Sequence, residues 1–345
     1  MEFTFGVLTY NSEQTVIETL ESVKYQISNY GQKKEFYLVI ADDCSKDNTL
    51  KLIKRWIDAN NKLFKHILVL ESKENQGVCK NYSKMIKAIK TRDFIQIAGD
   101  DVICSHNIFD KICNLDENEI RVFMQYDLIN KDVIINDFYI ARQLYYKNSK
   151  HNNDLDRRLL ETFPPYRSIE VVFQRKYYTD GCLSYLEKYH NFEDDTSLYY
   201  IFLHNKNVRF TFSTEPLILY RRANYSLTQA VDTPSQMQFL VDLYKFRRDT
   251  FKNEKNIFTK FLLALSVYMH FLMVHRFKYT KTLFWKLTIN NKNKIIKKMM
   301  KQNNFSSLKQ ECFDFISKEN EYINKIVDNS KVYLINNNEM DKMFK

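Results

Sequence analysis

The sequence predicts an α/β fold: a mostly parallel sheet flanked by helices, followed by a C-terminal helical extension. Three observations predict it. Short apolar runs alternate with stretches of helical spacing from residue 3 to residue 98. Polar and acidic clusters follow directly on several of those runs. From about Ser235 onward the spacing is almost wholly helical. Alternation of this kind places strands side by side in parallel, with the connecting helices on both faces.

The elements follow in order. Residues 3–9 (FTFGVLT) are apolar, β-branched and aromatic, and predict a strand. Val16, Ile17, Leu20 and Val23 carry helical spacing, and a cap at Asn11 or Ser12 predicts a helix from Glu13. Residues 36–40 (FYLVI) form a continuous apolar run, as a strand covered on both faces requires. Asp47 or Asn48 then caps a helix with Leu50, Ile53 and Ile57. Residues 66–70 (HILVL) predict a third strand, Asn75-Gln76-Gly77 a turn, residues 78–90 a helix and residues 94–98 (FIQIA) a fourth strand. Beyond residue 121, VFMQYDLI, DVIINDFYIA and RFTFSTEPLILY predict further strands, with Pro164-Pro165 in a loop between them.

Composition narrows the function. The chain has 345 residues, of which five are Gly and four Pro. Average usage would give roughly 24 and 17, so collagen-like and Gly/Pro-rich disordered classes are excluded. The surviving glycines are Gly6, Gly31, Gly77, Gly99 and Gly181. All but Gly31 are expected at the edge of a ligand site, where backbone approaches closely or turns sharply. The formal charge of +10 suits an anionic partner. No nucleic-acid-binding motif accompanies it, so nucleic acid is not expected. Neither GxGxxG nor GxxxxGK[ST] is present. The N-terminus has no basic region leading into an apolar one, and the run Phe261–Val274 is short of the roughly 20 residues that span a bilayer. A cytoplasmic protein, peripheral on the inner membrane at most, is expected. Six cysteines without CxxC spacing are expected as free thiols.

In open parallel sheets, ligands bind beyond the carboxyl ends of the strands. Thr9-Tyr10-Asn11, Asp42-Asp43 and Asp100-Asp101 all fall there. Adjacent carboxylates repel, and a cation or a ribose hydroxyl relieves them; a solvated loop would tolerate them too. Glu193-Asp194-Asp195 opens a further helix, where acids are favoured by the dipole, and one of the three could equally take a proton from an attacking hydroxyl.

Together these segments resemble the inverting family 2 glycosyltransferases with the GT-A fold, of the kind that build bacterial surface polysaccharides. VLTYNSE, VIADDCSKDNT, NQGVCKNYSKMIKAI, FIQIAGDDV, NFEDDTSL and PLILYRRANYSLT match that family's segments in order and spacing. Two departures stand out: Cys44 replaces the usual Gly, and Ala98 replaces the first acid of the "D-x-D". The resemblance implies transfer of one sugar from a nucleotide sugar, with UDP favoured, to a hydroxyl of a glycan or lipid-linked glycan. It implies that Thr9, Tyr10 and Glu13 flank the base and that Asp43 hydrogen-bonds it. Lys80 would approach the diphosphate, Asp100 the ribose, and Asp101 would bind Mn²⁺ or Mg²⁺. Asp194 would be the catalytic base, with Glu193, Asp195 and His190 on the acceptor side. Arg221 or Arg222 would steady the leaving diphosphate. A nucleotidyltransferase or a catalytically inactive binding module of the same fold is the alternative.

The expected organisation is a catalytic domain over 1–235 and a basic helical extension over 236–345. Within the first, 1–110 would bind the donor and 111–235 the acceptor. Residues 276–301 carry nine Lys or Arg and no acid, interleaved with aromatic and aliphatic residues. An anionic membrane surface or simple packing on the catalytic part would each account for them.

Overall fold

The computed structural model describes residues 1–147, 170–205, 207–222, 234–255 and 297–343, together with scattered positions between 257 and 271. Pro164-Pro165 and most of the basic 276–301 stretch lie outside the described residues.

Four strands form the central sheet: β1 (Glu2–Thr9), β2 (Glu35–Asp42), β3 (His66–Glu71) and β4 (Asp93–Ala98). Their order is β3-β2-β1-β4, and every pairing is parallel. The register aligns Thr9 with Asp42, Asp42 with Glu71, and Leu8 with Ala98. All four carboxyl ends therefore meet at one edge. The strand order reverses between β1 and β4, which is where such sheets open a crevice.

Helices α1 (Val16–Tyr30), α2 (Thr49–Asn60) and α3 (Val78–Ala88) connect the strands. Alternate residues of β1 serve opposite faces. Phe3, Phe5 and Val7 pack with Leu20 of α1 and Trp56 of α2. Gly6 points to the other face, where an added Cβ would lie 2.8 Å from Met85 Sδ of α3. Gly6 thus admits a helix, not a ligand. Gly181 likewise makes room for the Tyr200 hydroxyl, 2.2 Å from its would-be Cβ.

Downstream come β5 (Val102–Ile103), α4 (Phe109–Ile112), β6 (Glu119–Val122), β7 (Tyr126–Ile129), β8 (Asp132–Ile134) and α5 (Asp137–Lys147). They are followed by β9 (Val171–Val172), α6 (Asp180–Leu186), α7 (Glu193–His204), β10 (Arg209–Phe212) and β11 (Ile218–Arg221). Two small sheets, β10-β6-β9 and β5-β11-β7-β8, extend the fold. The stretch 132–141, expected as one strand, is instead β8 followed by the start of α5. Asn136 Oδ1 accepts the Phe138 amide at 2.9 Å and turns the chain into a helix that buries Ile140, Ala141 and Leu144.

Two long helices complete the described residues: α8 (Pro234–Asn253) and α9 (Asn303–Met343). α9 packs back on the sheet domain. Tyr322 donates to Ile103 O at 2.9 Å, and Asn320 Oδ1 accepts the Val133 amide at 2.7 Å. Buried Glu319 accepts the Ser105 amide and hydroxyl, and Arg55 and Asn60 bond to Tyr333. Among the described residues, no helix is long and apolar enough to cross a membrane. All six cysteines are free.

Candidate active site

The turns after β1 and β2 are laced together. Thr9 is buried and its hydroxyl donates to Asp42 Oδ2 at 2.8 Å. Asp42 also accepts the Ser45 amide and hydroxyl. Asn11 is no helix cap: its φ is +49°, and its Oδ1 accepts the Lys46 amide. Glu13 Oε2 accepts both the backbone amide and the side-chain amide of Asn48 at 2.9 Å. These non-local bonds hold 11–15 out of the helix, so α1 starts at Val16. Thr9 and Glu13, expected to flank a base, are thus committed to the protein's own loops. Tyr10 differs: at 48% exposure it stands free at the edge.

Asp43 is buried and grips the turn before α3. Its Oδ1 accepts the Gln76 amide and its Oδ2 the Gly77 amide, each at 2.9 Å. Lys80 is exposed on α3. One turn further on, Lys84 was not foreseen. Its Nζ donates to Ser72 Oγ at 2.8 Å, and burial lowers its pKa against the pull of Asp43 and Asp42. The signal for it was its place four residues after Lys80, on the same helical face.

Cys44 has a φ of +68°, the left-handed conformation that disfavours side chains. That is the physical reason for glycine at this place in the resembling family. Cys44→Gly is expected to stabilise the fold by about 1 kcal/mol. Thermal unfolding checks this; a lowered Tm would refute it.

At the end of β4 the two acids part company. Asp101 is 1% exposed, its Oδ1 accepts the Arg221 amide at 2.9 Å, and its carbonyl accepts Thr19 Oγ1. Through that oxygen it braces β11 from inside. Asp100 is half-buried; burial pushes its carboxyl up, opposed by Arg221. Arg221 donates to Asp100 O at 2.6 Å and pairs with Glu18. Arg222 faces elsewhere, held by Asp127 at 2.6 Å and by the Tyr139 hydroxyl. Among the described residues, no three His, Cys, Asp or Glu side chains converge to hold a metal. The donor set at this edge fits a cation held by one protein carboxylate, Asp100, with phosphate and water supplying the rest.

The acidic triple forms the first turn of α7. Burial, then the charges of Asp194 and Asp195, raise the Glu193 pKa. Burial pushes Asp195 up to about 7 against the opposing pull of Arg247. Asp194 lines a narrow cavity beside β4 with Tyr82, Gln96, Tyr178 and Ser197. The segment before the triple is docked on α3: Cys79 N donates to His190 O at 3.1 Å, and Phe192 N to Cys79 Sγ at 3.2 Å. His190, expected on the acceptor side, lies against Gly77, whose added Cβ would be 2.4 Å from its Nδ1. Asp43, the Gly77 turn, His190 and the triple are therefore one contiguous assembly.

A parallel sheet with acids at its carboxyl edge, and an acidic helix start docked beside them, fits the GT-A fold. Residues 4–132 match the family model described as "Glycosyl transferase family 2", and the chain carries a domain of that family. It is 27% identical over 165 residues to poly(ribitol-phosphate) beta-N-acetylglucosaminyltransferase TarS of Staphylococcus aureus strain Mu50, and equally to that of strain MW2. The match spans 48% of this chain but only 27% of each of those proteins, so the chain covers about a quarter of their length. Among solved structures, S. aureus TarS 1–349 in complex with UDP-GlcNAc is similar with a TM-score of 0.56 at 15% identity. That match covers 95% of this chain and 92% of the other. A further structure of S. aureus TarS is similar with a TM-score of 0.53 at 16% identity, covering 79% of this chain and 44% of the other. At such identities the likeness is one of fold.

Proposed function

We propose that the chain transfers a single sugar from a UDP-sugar, with inversion, to a hydroxyl of a surface glycan or lipid-linked glycan. Asp194 takes the acceptor's proton. The observation that carries the reading is the docking of the acidic triple's helix start on the turn that Asp43 holds. The relatives' names support UDP-N-acetylglucosamine as the donor and a poly(ribitol phosphate) chain as an acceptor to try first. A peripheral position on the cytoplasmic face of a membrane, through 276–301, belongs to the same proposal.

In this reading Asp100, not Asp101, holds Mn²⁺ or Mg²⁺. The ion would neutralise charge on the departing diphosphate. Tyr10, free at the same edge, offers its ring to the base, and Arg221, fixed by Glu18, keeps a cation beside Asp100. The test measures UDP release from UDP-N-acetylglucosamine with poly(ribitol phosphate) present. EDTA is expected to stop release and Mn²⁺ to restore it. Asp100→Asn is expected to cost about 10²-fold or more, as removal of a charge-stabilising group does. Asp101→Asn is expected instead to lower Tm. Full release in chelator would remove the metal from the proposal.

A further inference from the structure

The helix α8 begins where the catalytic part was expected to end, yet one face of it serves the acidic triple. Phe239, Asp242, Phe246 and Asp249 recur at spacings of three and four, which puts them on a single stripe. Phe239 and Phe246 pack on the Phe192 ring at centroid distances of 5.5 and 5.2 Å. Asp249 accepts the Tyr189 hydroxyl at 3.0 Å. Asp242, 1% exposed, accepts the backbone amides of His190 and Asn191 on one oxygen, at 2.8 and 2.9 Å. Its other oxygen is met by Gln238 at 3.2 Å and Lys245 at 3.8 Å.

We infer that Asp242 is a positioning residue for Glu193-Asp194. The two amides it holds lie two and three residues ahead of Glu193, just before the N-cap Phe192. Cys79 fixes the same segment from the α3 side. Held between the two, the segment has one path into α7, and that path sets where the Asp194 carboxylate stands. The inference rests on the reading of Asp194 as the base.

The test compares Asp242→Ala with Asp242→Asn in the full chain. An amide oxygen still accepts both N–H groups, so the Asn variant should behave nearly as wild type. For Asp242→Ala, kcat for UDP release from UDP-N-acetylglucosamine is expected to fall about tenfold to a hundredfold, with KM for the donor little changed. Hydrogen exchange in a peptide spanning 189–195 should quicken in the Ala variant and not in the Asn variant. A kcat within about twofold of wild type in the Ala variant would overturn the inference, as would unchanged exchange. Should the Ala variant not fold, Asp242→Glu decides: it keeps the charge but displaces the carboxylate by one methylene, and a wild-type rate would be the refuting result. An active Asp194→Asn enzyme would instead refute the base itself, so the two failures are told apart.

Discussion

Asp194→Asn is expected to reduce sugar transfer by about 10²–10⁴-fold while UDP binding persists, since that is the range a positioned general base contributes. An acceptor hydroxyl is a poor nucleophile until its proton has somewhere to go. Asn occupies the same volume and accepts a hydrogen bond, but it cannot take the proton. Asp194's neighbours suit such a role. Burial and the charge of Asp194 raise the pKa of both Glu193 and Asp195, so the triple sits where a carboxylate takes up a proton more readily than in water. Asp194 also stands apart by place, lining the cavity with Tyr82 and Tyr178. Turnover with calorimetry of UDP binding checks this. A mutant with near-normal turnover, or one that loses UDP binding in proportion, would assign the base elsewhere.

Asp43→Ala is expected to have the largest effect on stability among the site residues. Its buried carboxylate accepts the amides of exposed Gln76 and buried Gly77. An unsatisfied buried amide costs about 1–3 kcal/mol and an exposed hydrogen bond about 1 kcal/mol, so the loss at Gly77 and Gln76 together is expected to cost about 2–4 kcal/mol. Asn75 Oδ1, 3.1 Å from Gly77 N, limits the loss at that amide. The turn also seats His190, so the damage should spread to the segment that carries the acidic triple. Urea unfolding measures the stability, and UDP affinity should fall with it. Asp43→Asn keeps an acceptor oxygen and should lie between. Wild-type stability in the Ala variant would mean the turn holds without its carboxylate.

Much of this fold is legible in the sequence because its signals are local. Continuous apolar runs mark β2, β3 and β4 to within two residues, and turn chemistry marks the edge where the acids gather. What is not legible depends on distant partners. Asn11 and Glu13 read as a helix start, yet bonds to Lys46 and Asn48 hold them outside it. Asp100 and Asp101 are equivalent as letters, and only the arrival of β11 turns one inward. The glycines read as ligand edges or sharp turns; Gly77 does turn sharply, with φ +88°, and leaves room for His190, whereas Gly6 and Gly181 are small because Met85 and Tyr200 need the space. The stripe on α8 is visible as spacing. Its partner, the segment 189–192, lies some fifty residues earlier, as the His190–Asp242 separation of 52 shows.

The clasp between Ser105 and Glu319 joins residues 214 positions apart, just past the acids of β4. During synthesis, strands β1 to β4 can pair early and Gln26 and Tyr30 of α1 can hold the carbonyls of Cys104, His106 and Ser105, but the Ser105 amide and hydroxyl meet their carboxylate only once Glu319 has been made. At about 5–20 residues per second, that wait is about 10–40 s. Over that interval α1, α5 and β8 carry uncovered apolar surface where α9 will later lie. Completion of the Ser105 clasp is thus tied to the synthesis of α9, and a ribosome that stalled before residue 319 would leave that surface open to association.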